Sequence, residues 1–145
     1  MITTITIPGE PVPASRPRVV HGHAYTPARY AAWKRGAVLV LRATWRRPPL
    51  DGPVSVSVVA LWTRPARRPA CVPAEVWSTG ERCWRPVGAD ADNVAKAVLD
   101  AGTVAKLWGD DAQVCDLRVR TMYAGRGERA CVVVEVAGLS LAGGV

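Results

Sequence analysis

Asp90 and Asp92 stand two apart in the run DADNVAK, and Asp111 follows in the turn GDDAQV. Six of the twelve acidic residues fall between Asp90 and Asp116, although the chain carries a net charge of +7. In extended backbone, residues two apart point to the same side. Asp92 opens a helix-like pattern, where backbone dipoles favour an anion. Asp111 enters from a separate turn, just ahead of the next strand pattern. Three carboxylates at the ends of adjacent elements can converge, and hard oxygen donors of this kind suit Mg²⁺ or Mn²⁺. Such an ion would activate water and offset charge on a phosphate. Lys96, one helical turn after Asp92, can reach the same place. A plainer reading stands beside this one. Asp-x-Asp-Asn also caps helices, and Gly-Asp-Asp also makes turns. Residue types and spacing alone leave both open.

The rest of the chain is basic. Arg outnumbers Lys 16 to 3, and the planar guanidinium is the better fork for phosphate oxygens. Residues 1–50 hold eight basic side chains against Glu10 alone, and residues 64–85 add Arg64, Arg67, Arg68, Arg82 and Arg85. This segregation fits a partner that is a polyanion. At 145 residues the chain is long enough for one domain with a core. The start, MITTITIPGEPVP, lacks a positive n-region and a long apolar run, so the expected location is the cytoplasm, with no membrane span. Cys71, Cys83, Cys115 and Cys131 form no CxxC pair, which argues against a zinc ribbon. Cys115 and Cys131 are expected as buried thiols. His21 and His23 read as two loop histidines.

The elements that must position the acids follow from periodicity. ITTITI and VSVSVVALW read as strands, the second with Val54, Val56, Val58, Ala60 and Trp62 on one face. Thr26 and Pro27 open a helix whose buried side would carry Tyr30, Trp33, Ala37, Leu41 and Thr44. Residues 63–87 read as a long basic loop. From Asp92, Val94, Ala97, Val98 and Ala101 form an apolar stripe that Gly102 ends. QVCDLRVRTMY and ACVVVEVA are strands joined by an AGRGER hairpin turn, and 138–145 is a loose tail. The expected fold class is α+β, one domain over 1–145, with a mostly antiparallel four-stranded sheet and two helices packed on one face.

At DADNVAK, VLDA and GDDAQV the sequence resembles the RusA family of Holliday junction resolvases, without a gap from Asp90 to Val114. GEPVPASRPRVVHGHAYTP also resembles phage-type members. The resemblance implies a homodimer that nicks opposed strands of a four-way DNA junction with Mg²⁺, for which Mn²⁺ can substitute, in recombination and repair. Asp90, Asp92 and Asp111 match the family's essential acidic positions and Lys96 its lysine, with Asp100 and Asp110 as helpers. Some members carry basic residues just before the first Asp, where this chain has Gly88 and Ala89. Phosphate contacts are then expected from Arg82 and Arg85, together with Arg16, Arg18 and Lys96. Two alternatives remain at this stage: a nuclease for other branched DNA, and a non-catalytic DNA-binding module.

Overall fold

Val54, Val56, Val58 and Ala60 alternate along Val54–Trp62 (β4), and all four are buried. In the computed structural model, which describes residues 1–143, β4 is the middle strand of a five-stranded mixed sheet. Thr3–Pro8 (β1), Cys131–Gly138 (β7), β4, Val114–Tyr123 (β6) and Cys83–Trp84 (β5) lie side by side in that order. Arg18–Val20 (β2) and His23–Tyr25 (β3) form a separate two-stranded sheet. Two long helices, Ala28–Thr44 (α1) and Ala91–Val104 (α3), supply the other half of the core. Ile5, Ile7, Val132, Val134 and Val136 complete it from the sheet.

The expected sheet differs in three respects. A fifth strand, β5, and a four-residue helix, Ala74–Trp77 (α2), lie inside the presumed loop 63–87. β4 and β6 are parallel, although the other pairings are antiparallel. β6 and β7 are not a hairpin, because β4 lies between them. The AGRGER connection instead crosses the end of β4, where the Ala124 N–H donates to the Trp62 carbonyl at 2.8 Å. The most apolar alternating strand takes the middle position, where both edges are paired and its core face is fully covered.

A parallel pair needs a crossover, usually through a helix. Here α3 supplies it, so α3 runs antiparallel to β6. Its first residues lie where β4 and β6 end, and its last residues lie where they begin. Val94, Ala97, Val98 and Ala101 are buried as the periodicity required. α1 begins at Ala28, one residue later than the Thr26–Pro27 signal suggested; Pro27 is the cap and no side chain caps the helix. Thr44 is exposed and Trp45 is buried instead.

The loop 63–87 is stitched by its own arginines. Arg64 stacks 3.6 Å over the Trp77 ring and donates to the Glu81 carbonyl at 3.1 Å. Arg68 donates to the Val72 carbonyl at 2.6 Å. Of the cysteines, Cys83 is buried, Cys131 is half-buried, and Cys115 is exposed, against expectation. In the tail, Gly138 closes β7 and its neighbour Leu139 donates to the Pro53 carbonyl at 2.8 Å; residues 144 and 145 lie outside the described part.

Gly102 does not end α3, which continues to Val104. Its role is space: a Cβ there would lie 2.5 Å from the Trp108 ring, which is 1% exposed. Alanine gains about 1 kcal/mol in helix propensity over glycine. Overpacking of a closed core costs about 1–3 kcal/mol, and Trp108 is hemmed in, so the clash wins. We predict that Gly102→Ala lowers stability by about 1–2 kcal/mol in urea unfolding. An equal or raised unfolding midpoint would show that the ring can move.

Candidate metal centre

Asp90 is the N-cap residue of α3. Its carbonyl accepts from Asn93 and Val94 N–H, each at 3.1 Å, but its side chain makes no capping bond. Asp92 lies in the first turn, and both carboxylates are exposed. The backbone is extended at Asp90 and helical from Ala91. The two side chains are therefore neighbours at a helix start, not the same-side pair of an extended strand. Among the described residues no cation pairs with either.

Lys96 leans the other way. Its ammonium lies 3.6 Å from the Asp100 carboxylate, one turn further along, and its side chain remains 65% exposed. Asp100 also accepts from the Tyr30 hydroxyl at 2.9 Å. Burial, reinforced by this carboxylate, pushes the Tyr30 hydroxyl's pKa strongly upward. Asp100 thus couples α1 to α3 and holds Lys96 on the outer ridge of α3.

Asp110 and Asp111 have different positions and partners. Asp110 caps the short 3-10 turn Asp111–Gln113, accepting from the Ala112 N–H at 2.8 Å. Gln113 completes this box. Its carbonyl oxygen accepts from the N–H groups of Gly109 and Asp110 at 2.8 and 3.0 Å. Its amide nitrogen donates to the carbonyls of Leu50 and Gly52, both at 2.9 Å. Gln113 is a positioning residue that residue-by-residue reading missed, although the GDDAQV motif contains it. Asp111, next to this cross-braced Asp110, is exposed and among the described residues its side chain has no hydrogen-bonded partner.

Among the described residues, the single chain does not bring the three carboxylates together. Asp111 shares a small cleft with Asp100, Thr103 and Val104, at the C-terminal end of α3. Asp90 and Asp92 begin the helix. The 14 residues of α3 rise about 21 Å, far beyond the span of one ion. Among the described residues no three carboxylate, imidazole or thiol groups stand close enough to share a metal. The donor chemistry suits a hard divalent ion, since the Asp90, Asp92 and Asp111 oxygens are solvent-facing and uncommitted. Each end of α3 thus carries exposed carboxylate oxygens.

The arginines divide as well. Arg85 stacks 4.3 Å over Trp62 and donates to the Val87 carbonyl at 2.8 Å. Its guanidinium packs against Gly88, where a Cβ would lie 2.8 Å from it, and Gly88 has a φ of +79°. The basic group absent from positions 88 and 89 is thereby returned to the same place from Arg85. Arg16 and Arg18 are exposed. Arg82 is engaged within the fold: it grips Glu128 at 2.9 and 2.6 Å, and Glu128 in turn accepts from the Gly125 N–H at 2.9 Å. That hydrogen bonding from Arg82 holds the Glu128 carboxyl below its ordinary range.

The family model Endodeoxyribonuclease RusA matches residues 8–136 of this chain. No curated protein matches it. The match runs from the end of β1 into β7 and includes every residue of the candidate site described above.

We predict that Arg82→Ala chiefly costs stability. For a half-exposed pair the loss is about 1 kcal/mol or less. Glu128 has a folded pKa below its unfolded value, so the pair stabilises fully above about pH 5 and fades as pH falls through the folded value. The difference between Arg82→Ala and the parent in thermal unfolding should therefore be present at pH 7 and shrink as pH falls below the ordinary carboxylate range. A difference independent of pH, with weakened DNA binding, would return Arg82 to the phosphate-contacting set.

Proposed function

The chain belongs to the RusA endodeoxyribonuclease family, and from that premise we propose that it is a metal-dependent resolvase of four-way DNA junctions, acting as a homodimer through paired nicks. The metal is Mg²⁺, with Mn²⁺ able to substitute, and the setting is DNA recombination and repair in a bacterial or phage-infected cytoplasm. The observation that carries this reading is the uncommitted acid at both ends of α3 in an otherwise basic chain. Carboxylates that only capped or turned would be engaged, as Asp110 is. Asp90, Asp92 and Asp111 are not.

The separation of these acids supports the dimer. Asp92, Lys96, Asp100 and Thr103 follow one another along the less buried side of α3. Two such ridges packed antiparallel about a two-fold axis would bring the start of one helix to the end of the other. Asp90 and Asp92 would then meet Asp111 of the partner subunit, twice per dimer. Beside this ridge lies a cleft of about 740 Å³ between α1 and α3, walled in part by Leu39 and Val104. Leu39 is 68% exposed and Val104 43%, so apolar surface is available to such an interface.

A bound divalent ion supplies an activated water and relief of charge on the phosphate. The chain's own residues do the rest. Asp90, Asp92 and Asp111 are the metal-holding and catalytic carboxylates. Lys96 supplies a cation whose position along α3 is set by Asp100, suited to steadying the scissile phosphate. Arg16, Arg18 and Arg85 hold DNA against the repulsion of the acids, and Arg85 is pre-ordered by its stacking on Trp62.

The test is cleavage of a synthetic four-way junction in Mg²⁺, with linear and flapped duplexes as controls. We expect opposed nicks in the junction and none in linear duplex. Asp92→Asn should lower the rate at least about a hundredfold, beyond the 10–100-fold typical of outer-shell partners, while junction binding holds or tightens as negative charge is removed. Near-parent cleavage by Asp92→Asn would overturn the assignment. Arg16→Ala and Arg18→Ala should each lower the slope of log affinity against log salt by about one, as filter binding measures.

A further inference from the structure

The β2–β3 hairpin has no place in the core. Residues 15–26 are exposed without interruption, and the two strands pair only with each other. An isolated two-stranded hairpin is marginally stable in water, and this one exposes Val19 at 70% and Tyr25 at 46%. A ribbon with both faces bare and apolar side chains on each has been left for something outside the chain.

Its base is fixed. The Ala14 N–H donates to the Asn93 carbonyl at 2.9 Å, directly beside Asp92. Ala14 also packs with Tyr30 and Ala97. On the far side the chain passes into α1 at Pro27. Ser15, Pro17 and Thr26 border the same cleft as Lys96. The ribbon thus rises from the acidic start of α3.

Its tip is built at a cost. His21 and Gly22 have φ of +49° and +79°, the two-residue turn with both central residues left-handed. Asn or Gly is the comfortable residue at the first of these positions. A histidine there costs about 1–2 kcal/mol. His21 is exposed and its side chain makes no hydrogen bond or ion pair among the described residues, so the side chain at the apex is free for another purpose. The register pairs Arg18 with Tyr25 and Val20 with His23 on one face, and Val19 with Ala24 on the other. Arg18, Tyr25 and His23 thus share one face with Val20, while a valine and an alanine share the other. From residue 11 to residue 50 there is no acidic side chain, so the fitting occupant is a polyanion.

The dimensions choose among polyanion surfaces. Three paired residues on each side extend about 10 Å at 3.4 Å each. The major groove of duplex DNA is about 12 Å wide and 8.5 Å deep and admits a two-stranded ribbon. Resting on the nuclease reading above, we propose that the β2–β3 hairpin enters the major groove of a junction arm beside the cut, where His21 and the Arg18–His23 face read base edges. The hairpin then sets the sequence preference of the enzyme, while Arg16 at its root grips the backbone.

The test separates this inference from the nuclease reading by using the uncut complex. In the Asp92→Asn background, junctions randomised next to the branch point are selected by binding, and bound complexes are probed with dimethyl sulfate, which methylates guanine N7 in the major groove. The intact hairpin should enrich particular sequences and protect guanines in one arm. His21→Gly keeps a comfortable Gly-Gly turn and should reduce the enrichment about tenfold, the scale of one base contact. A variant with residues 19–24 replaced by two glycines should lose the protection entirely. No enrichment by the intact hairpin, or the same enrichment and protection in all three proteins, would overturn the inference. So would a hairpin-shortened chain that scatters light as a monomer where the parent is a dimer, because the ribbon's occupant would then be the second copy. Failure of the wild-type chain to cut junctions would defeat the nuclease reading alone, and the protection pattern would still decide the ribbon.

Discussion

Burial of the α3 stripe is the constraint on which the site depends. Val94, Val98 and Ala101 are closed off in the core between the sheet and α1, and Ala97 packs with Ala14 and Tyr30, which fixes α3 as the rod joining the ends of a parallel strand pair. Removing one of these side chains from water is worth about 1.5–3 kcal/mol for the valines, so the rod does not bend to bring its two ends together. Its buried side thereby dictates what its outer side can do. Asp90 and Asp92 stay at one end, Asp111 stays near the other, and Lys96 lies between them under the hold of Asp100.

Several supports converge on keeping those ends in place. At the N-terminal end, the Arg85 N–H bonds the Thr121 carbonyl at 3.1 Å and its side chain stacks on Trp62, which fastens the approach to Asp90 onto the ends of β4 and β6. At the C-terminal end, Gln113 uses all its hydrogen-bonding directions to tie the turn before β6 to the residues before β4. Trp108 fills the space that Gly102 leaves, with its indole N–H donated to Thr103 at 2.9 Å. Acidic side chains with no partners of their own are thus carried on backbone with little freedom. The proposed metal role calls for such an arrangement, with carboxylates positioned before an ion binds.

Local patterns made the parts readable and left their arrangement hidden. The β4 alternation and the α3 stripe describe single elements, and both are buried as their spacing required. The acidic motif also showed which residues were unusual. The order of strands was not readable, because whether β6 pairs with β7 or with β4 depends on competition for the middle of the sheet. β5 has two residues, too few for any period. Gly102 looks like a helix end until Trp108 is in place. The bond between Arg82 and Glu128 was not readable, because the two are 46 residues apart. Convergence of the three acids was expected from their being at element ends, and the length of α3 keeps them apart within the single chain.

The central claim is therefore that each metal site is shared between two protomers, and mixing inactive variants tests it directly. Asp92→Asn and Asp111→Asn should each fail to cut a four-way junction. After the two are unfolded together and refolded, random pairing makes about half the dimers mixed, and each mixed dimer holds one site with all carboxylates intact. Nicking should then return to about a quarter of the wild-type level, as single cuts and not pairs. A refolded mixture that dimerises and binds junctions yet remains inactive would contradict the shared site and require all three carboxylates to act within one chain.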